Sequence, residues 1–261
     1  MRVGESVGFK PMVSVVLTTR DRPRFLATAL ACFRHSTYLN RELIVVDDGD
    51  VHPVDAAAVE AVGGRLVLVT SGTPLGTKLN CGLQEARGTW CQKMDDDDWY
   101  GPGYLDTMIG AVSKHRTDVC RPLVACLMPF LFFDVARWEI RRSLVNNLPG
   151  ATLVFAREDW QHSPFRPLGQ DEDLWFVRDQ TRWGSSVLPV RSPGSLDSFL
   201  AVRHRGLGKD RGHTWTQQED GRSLEQYLHQ DRPLYRTPEE LLPEWALGFY
   251  RGLRTELLAS T

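Results

Sequence analysis

The chain has 261 residues, a formal net charge of −2 and an apolar fraction of 42%. A chain of this length buries roughly three quarters of the surface its unfolded form exposes, so one full hydrophobic core forms without disulfides. The near balance of charge gives no nonspecific attraction to nucleic acid or to an anionic membrane surface, and leaves small or neutral partners.

The five cysteines, Cys32, Cys81, Cys91, Cys120 and Cys126, show neither CxxC zinc spacing nor a paired framework. Small apolar core residues with reduced thiols are expected, which suits a cytoplasmic location. The opening MRVGESVGFKP has no apolar stretch of signal-peptide length. No run of about twenty apolar residues follows anywhere, so no membrane span is expected. Leu123 to Val135 is the most apolar stretch, and it is short and interrupted by Pro129 and Asp134.

From Met12, MVSVVLTT is a β-branched run of the kind that fills a strand buried on both faces. A helix is predicted after TRDRP, with Pro23 in its first turn and Phe25, Leu26, Ala29, Leu30 and Phe33 on one face. ELIVVDDG is a second strand, VDAAAVEAV a short helix and RLVLVT a third strand. SGTPLGTKLNCGLQEARG passes from a turn into a helix predicted to stop at Gly88, and WCQKM is a fourth strand leading into DDDDWYGPGYL. This β-α-β-α order predicts an α/β fold with a mostly parallel sheet covered by helices.

Beyond residue 110 the pattern is less regular, with apolar segments near 123–133, 151–156 and 198–203. Strands in the last two are predicted to extend the sheet. From about Gln217 the chain turns polar and helical in SLEQYLHQ and PEELLPEWALGFYRGLRTELLA. These read as a helical tail over 216–261 that packs on the main domain, 1–215, or pairs two copies of the chain. Within that domain a donor-binding half is expected over about 10–110 and an acceptor or catalytic half over about 111–215.

In open parallel sheets ligands bind beyond the carboxyl ends of the strands. That rule gathers Thr18, Thr19, Arg20 and Asp21 after the first strand, Asp47 and Asp48 after the second, Ser71 and Gly72 after the third, and Asp95, Asp96, Asp97 and Asp98 after the fourth. A charge run is by default a solvated face. Here an apolar strand precedes the aspartates and Trp99, Tyr100, Gly101 and Pro102 follow, so the run sits at an ordered strand end where its repulsion must be offset. A Mg²⁺ or Mn²⁺ ion held through Asp95 and Asp97 does this, although the same residues can cap a helix. VDDG is also a common strand-to-turn signal, and a second acidic group, Asp171, Glu172 and Asp173, suits both a first helical turn and a general base.

Together these motifs resemble the inverting glycosyltransferases of family 2, which adopt the GT-A fold. The carrying segments are VSVVLTTRDRPRFLATAL, ELIVVDDGD, GTKLNCGLQEARGTWCQKMDDDDWYGPGYL, LPGATLVFAREDW and PFRPLGQDEDLWFV, over about residues 12–180. The resemblance implies transfer from a UDP-, dTDP- or GDP-sugar to an acceptor hydroxyl or amine, by single displacement with Mn²⁺ or Mg²⁺. It places Thr18, Thr19, Arg20 and Asp21 at the nucleotide, Asp47 or Asp48 at the base, and Lys78 and Asn80 at the ribose or phosphates. Asp95 and Asp96 then face the donor, with Asp97 the metal ligand and Asp95 close to it. Asp171 matches the catalytic base, with Gln170 where the family has glutamate and Glu172 or Asp173 as the alternatives if the loop is shifted. FLAVRHRGLGKDRGHTW looks like the family's RHG and NTW elements, which makes His204 a metal or diphosphate ligand and puts His213 where asparagine is usual.

Trp99, Trp138, Trp160 and Trp175 are candidates for sugar stacking, with packing the default for each. The segment 110–168 is expected to form the acceptor site, and a small soluble acceptor is favoured. Two other classes stay open: a nucleotidyltransferase, which would place a glycine-rich loop where TTRDRP stands, and a noncatalytic nucleotide-sugar-binding module, which would need no base.

Overall fold

The computed structural model describes residues 10–118, 122–143, 148–192, 194–204 and 235–259. Strands β1 (Val13–Thr19), β2 (Arg41–Asp47), β3 (Gly64–Leu68) and β4 (Trp90–Asp95) alternate with helices α1 (Pro23–His35), α2 (Ala56–Glu60) and α3 (Leu75–Gln84). β1 pairs with β2 and β4, and β2 with β3, all parallel. Because strand side chains alternate, Val13, Val15 and Leu17 of β1 enter one apolar cluster while Val16 enters the other. A strand buried on both faces needs this unbroken apolar run.

Helix α1 starts at Pro23, whose missing N–H costs nothing in a first turn, and buries Phe25, Leu26, Ala29, Leu30 and Phe33. Helix α3 ends at Gln84, short of the predicted stop at Gly88. Gly88 serves a different purpose. A Cβ there would lie 2.6 Å from the Ser14 amide nitrogen, so glycine lets the chain cross the start of β1 on its way into β4.

The second half adds β5 (Trp99–Tyr100), α4 (Tyr104–Asp118), β6 (Leu123–Leu127), β7 (Leu131–Asp134), β8 (Glu139–Arg142), β9 (Val154–Ala156), α5 (Arg157–His162), α6 (Glu172–Arg182), β10 (Ser186–Val190) and β11 (Phe199–Arg203). The main sheet has seven strands in the order β10-β6-β9-β4-β1-β2-β3, with β9 antiparallel to both its neighbours. Of the segment 151–156, Val154–Ala156 therefore join the main sheet as predicted, while Gly150–Thr152 form a 3-10 turn and 198–203 do not join it. β10 already occupies the free edge of β6, and β11 instead pairs with β5 and β7 in a four-stranded sheet ordered β5-β11-β7-β8. That pairing brings the end of β11 next to the residues that follow β4.

The C-terminal helices α7 (Pro238–Leu241) and α8 (Glu244–Ala259) pack on their own chain. Ala246, Leu247, Tyr250, Leu253 and Leu257 are buried in the same cluster as the α1 face of the sheet. Tyr250 meets Phe133 edge to face at 5.2 Å, Phe249 meets Phe25 at 5.8 Å, and Arg24 Nη1 pairs with Glu256 at 2.8 Å. The predicted helix in SLEQYLHQ lies outside the described residues. Among the described residues no helix is long and apolar enough to cross a membrane.

Since α8 shares one core with the sheet, Leu247→Ala is expected to destabilise the whole chain by about 2–5 kcal/mol in a single denaturation transition. A separate early transition for α8, or no change in midpoint, would show that the helix is not part of that core.

Candidate functional site

The run Asp95–Asp98 ends β4, and three of its members, Asp96, Asp97 and Asp98, are buried. The four carboxylates separate toward different elements. Asp95 Oδ1 accepts from Lys93 Nζ at 2.7 Å. Asp96 accepts from Thr19 Oγ1 at 2.7 Å and from Arg22 Nη1 at 3.0 Å. Asp97 Oδ2 lies 3.2 Å from Arg22 Nη1 and 3.2 Å from His204 Nε2. Asp98 Oδ1 accepts from the Val202 amide at 2.8 Å, with Arg203 Nη1 3.7 Å away.

Burial outweighs these partners for two of the four. The Asp96 carboxyl is pushed up to about 6 by desolvation and by Asp97, against the pull of Arg22 and Thr19. Asp98 is raised further, again by burial first and by the charge of Asp97, with Arg203 opposing. The site thus holds its negative charge at a cost, which is the condition under which a bound cation is favoured.

At the ends of β1 and β2, in register with the end of β4, lies a second network. Asp48 accepts from Lys78 Nζ at 2.6 Å and from the Gly72 amide at 3.1 Å, with Arg20 Nη1 at 3.8 Å. Gly72 has φ +82°, which glycine adopts without strain and which turns its N–H toward Asp48. Asp47 is occupied differently, accepting from the amides of Gly49 and Val54 to close the turn after β2. Asp21 has φ 52° and accepts from the amides of Val51 and His52 at 2.9 and 2.8 Å, and these bonds, the His52 one foremost, hold its carboxyl below the usual range. Thr18 is buried in register with Val46 and Asp95.

The third acidic group sits at the start of α6. Asp171 is exposed, in a left-handed conformation with φ 57°. Glu172 is buried, with Oε1 3.5 Å from Lys93 Nζ, and desolvation raises its carboxyl despite that lysine. Asp173 is half-buried against Gly150, where a Cβ would fall 1.5 Å from its Oδ2. The preceding loop docks on α3, because Gly76 lets the Arg166 carbonyl approach to where a Cβ would be, 1.9 Å away, and its amide donates to the Leu168 carbonyl.

Asn80 stands apart from the crevice. Its Oδ1 accepts from Trp160 Nε1 and the Phe165 amide, and its Nδ2 donates to the Phe165 carbonyl, tying α3 to the segment after α5. The tryptophans pack: Trp138 Nε1 donates to Glu239, Trp175 lies under Arg166 at 4.0 Å, and Trp99 is buried. His213 lies outside the described residues.

Sequence reasoning missed Arg22 and Lys93. Arg22 is one of several charges in TRDRP with nothing local to single it out, yet its guanidinium bridges Asp96 and Asp97. Lys93 carried a readable signal, a charge inside the apolar strand WCQKM with the period-two spacing that aligns it with Asp95. Burial would push its ammonium pKa down, but Asp95, Glu172 and Asp173 together hold it above the ordinary lysine value.

Among the described residues no group of three or more His, Cys, Asp or Glu side chains converges as a ready metal cage. Asp97 and His204 nevertheless fit a divalent cation, since such an ion in a phosphate site takes few protein ligands and fills its shell with water and phosphate oxygens. His204 is buried, and its Nδ1 has no hydrogen-bond partner among the described residues, which leaves the ring oriented by Phe25 at 4.5 Å.

A mostly parallel sheet with acidic residues at its strand ends, backed by a small second sheet, is the GT-A arrangement. The profile of glycosyl transferase family 2 matches residues 14–166, more than half of the chain, and the chain belongs to that family. EpsH of Bacillus subtilis (strain 168), described as a candidate glycosyltransferase, is 31% identical over 130 residues, covering 49% of this chain and 36% of that protein. An uncharacterized glycosyltransferase of Rickettsia prowazekii, RP339, is 26% identical over 106 residues, covering 41% of this chain and 33% of its own. The chain thus spans about a third of the length of these relatives. Among solved structures, TarS 1-349 of S. aureus in complex with UDP-GlcNAc superposes with a TM-score of 0.55 at 17% identity, covering 75% of this chain and 59% of that one. The mannosyltransferase PcManGT of Pyrobaculum calidifontis, in complex with GDP-Man and Mn²⁺, gives 0.57 at 17% identity, covering 82% and 62%.

The raised Asp96 carboxyl has a testable sign. Folded Asp96 keeps its proton up to about pH 6, whereas the unfolded residue loses it near 3.8, so the ionised group costs stability above pH 6 and that cost fades as pH falls. In metal-free protein, any gain in melting temperature of Asp96→Asn over wild type is therefore expected to shrink between pH 7 and pH 5. A pH-independent difference would show that Asp96 does not titrate in this window.

Proposed function

We propose that this chain moves a sugar from a nucleoside-diphosphate donor to an acceptor hydroxyl or amine, with inversion and with Mn²⁺ or Mg²⁺ held by Asp97 and His204. The observation that carries the reading is the buried pair Asp97 Oδ2 and His204 Nε2, 3.2 Å apart at the ends of β4 and β11. Two ligand atoms contributed by separate sheets would leave the remaining coordination positions to water and phosphate. When bound, the cation would neutralise charge developing on the leaving diphosphate.

The remaining roles follow from what each side chain has to spare. Asp48, Lys78 and Arg20 form the nucleoside side, where Asp48 can accept from a base N–H or ribose hydroxyl and the two cations offset phosphate charge. Thr19 and Asp96 form the floor between that network and Asp97. Asp95 faces the donor. The base is Asp171, which would take the acceptor's proton as the hydroxyl attacks the anomeric carbon from the side opposite the diphosphate. Its exposure and the lack of any partner for its carboxylate among the described residues support this role, whereas Glu172 is engaged by Lys93 and Asp173 lies against Gly150. The donors named in the neighbouring structures, UDP-GlcNAc and GDP-Man, support a nucleotide-sugar for this chain without choosing the nucleotide. Against a nucleotidyltransferase, the turn from Thr19 to Pro23 has no glycine, where a glycine-rich phosphate loop would stand.

Asp97→Asn is expected to lower donor turnover with Mn²⁺ by on the order of 10²–10³, while UDP and GDP raise the melting temperature of the wild type more with Mn²⁺ than without it. Wild-type turnover in that variant would remove the metal assignment. For the base, Asp171→Asn is expected to lose roughly 10²–10⁴ in kcat with nucleotide affinity retained. Unchanged transfer would move the role to Asp173.

A further inference from the structure

We infer that Lys93 is a positioning residue of the transfer reaction: its buried ammonium ties Asp95, on the donor side, to Glu172 at the start of the helix that carries the base. The inference rests on the transferase reading above and adds a residue that the reading does not use.

Alternation along β4 puts Cys91, Lys93 and Asp95 on the face that packs against α3 and α6, where Cys91 joins a cluster with Leu79, Leu83 and Phe176. An apolar residue at 93 would continue that cluster. The chain instead places a lysine there with its side chain 2% exposed, 2.7 Å from Asp95 Oδ1 and 3.5 Å from Glu172 Oε1. A buried ion pair is often no more stabilising than apolar packing of the same volume, so stability alone does not account for it.

Geometry gives it a task. The Asp95 side chain keeps 18% of its surface exposed, while Glu172 keeps 3%, so the ammonium joins a carboxylate at the crevice to one sealed inside. β4 and the start of α6 come from opposite halves of the chain. Asp171 directly precedes Glu172 and holds a left-handed backbone, so movement of Glu172 re-aims the base. Misplacing a reacting group by about 1 Å can cost about a hundredfold in rate, and Lys93 fixes the spacing between donor and base against such drift.

The test uses the full chain with UDP-GlcNAc and with GDP-mannose in Mn²⁺, measuring nucleoside diphosphate release, and calorimetric affinity for UDP, dTDP and GDP. Lys93→Gln, neutral and one atom shorter, is expected to keep nucleotide affinity within about threefold and to lose about tenfold or more in kcat. Lys93→Arg, which keeps the charge, is expected to recover most of that loss. Wild-type kcat in the Gln variant, affinity and kcat falling together, or no recovery with Arg overturns the inference. Should Lys93→Gln not fold, Lys93→Met combined with Glu172→Gln leaves no sealed carboxylate unpaired, only the partly exposed Asp95, and is read against the same expectations. A wild-type chain that binds none of UDP, dTDP and GDP overturns the transferase reading itself, and this inference with it.

Discussion

Like charges in consecutive residues at a buried strand end repel strongly, because the interior screens them far less than water does. Asp96, Asp97 and Asp98 are all in that position, and Asp95 adjoins them. The fold answers by giving each carboxylate partners from elsewhere in the chain: Lys93 on β4 for Asp95, Thr19 at the end of β1 for Asp96, Arg22 before α1 shared by Asp96 and Asp97, His204 after β11 for Asp97, and Val202 and Arg203 on β11 for Asp98. Dispersing this charge dictates how the second sheet, the first loop and the strand ends must meet. Most of the architecture around the crevice is explained by that one requirement.

The second sheet and the C-terminal helix acquire their purpose from the same source. β11 pairs with β5 directly after the aspartates, and this register delivers His204 to Asp97. Behind the imidazole stands Phe25, and behind Phe25 stands Phe249 of α8. A residue near the end of the chain thus supports a candidate metal ligand through two ring contacts. The helical tail is part of the buttress of the site, although its sequence gives only an amphipathic helix.

Most of the first half was legible. Continuous apolar runs marked the buried strands, and Pro23 with the periodic face after it marked α1. The rule that ligands gather at the carboxyl ends of parallel strands picks out Thr19, Arg20, Asp21, Asp48 and the aspartate run, while Lys78, placed by the family resemblance alone, reaches Asp48 from helix α3. What failed was local. Gly88 was read as a helix stop, when its reason lies in the close approach of Ser14, a residue from another strand. The strand at 198–203 was assigned to the main sheet, because its apolar pattern does not say which edge is still free. The resemblance puts Asn80 with Lys78 at the donor, but residues two apart on a helix point about 200° from one another and Asn80 turns to Trp160 instead.

The sequence alone determined the alternation of strands and helices, the apolar faces and the acidic residues at the strand ends, since hydrophobic periodicity and turn chemistry are local properties. The tertiary structure decided which carboxylate meets which cation. Arg22, Lys93 and His204 acquire their partners only when segments far apart in the chain are packed together, and no spacing within a segment encodes that distance. It also decided that Glu172 is sealed against Lys93 while Asp171, its neighbour, stands open, because burial is a property of the assembled surface and not of the residue type.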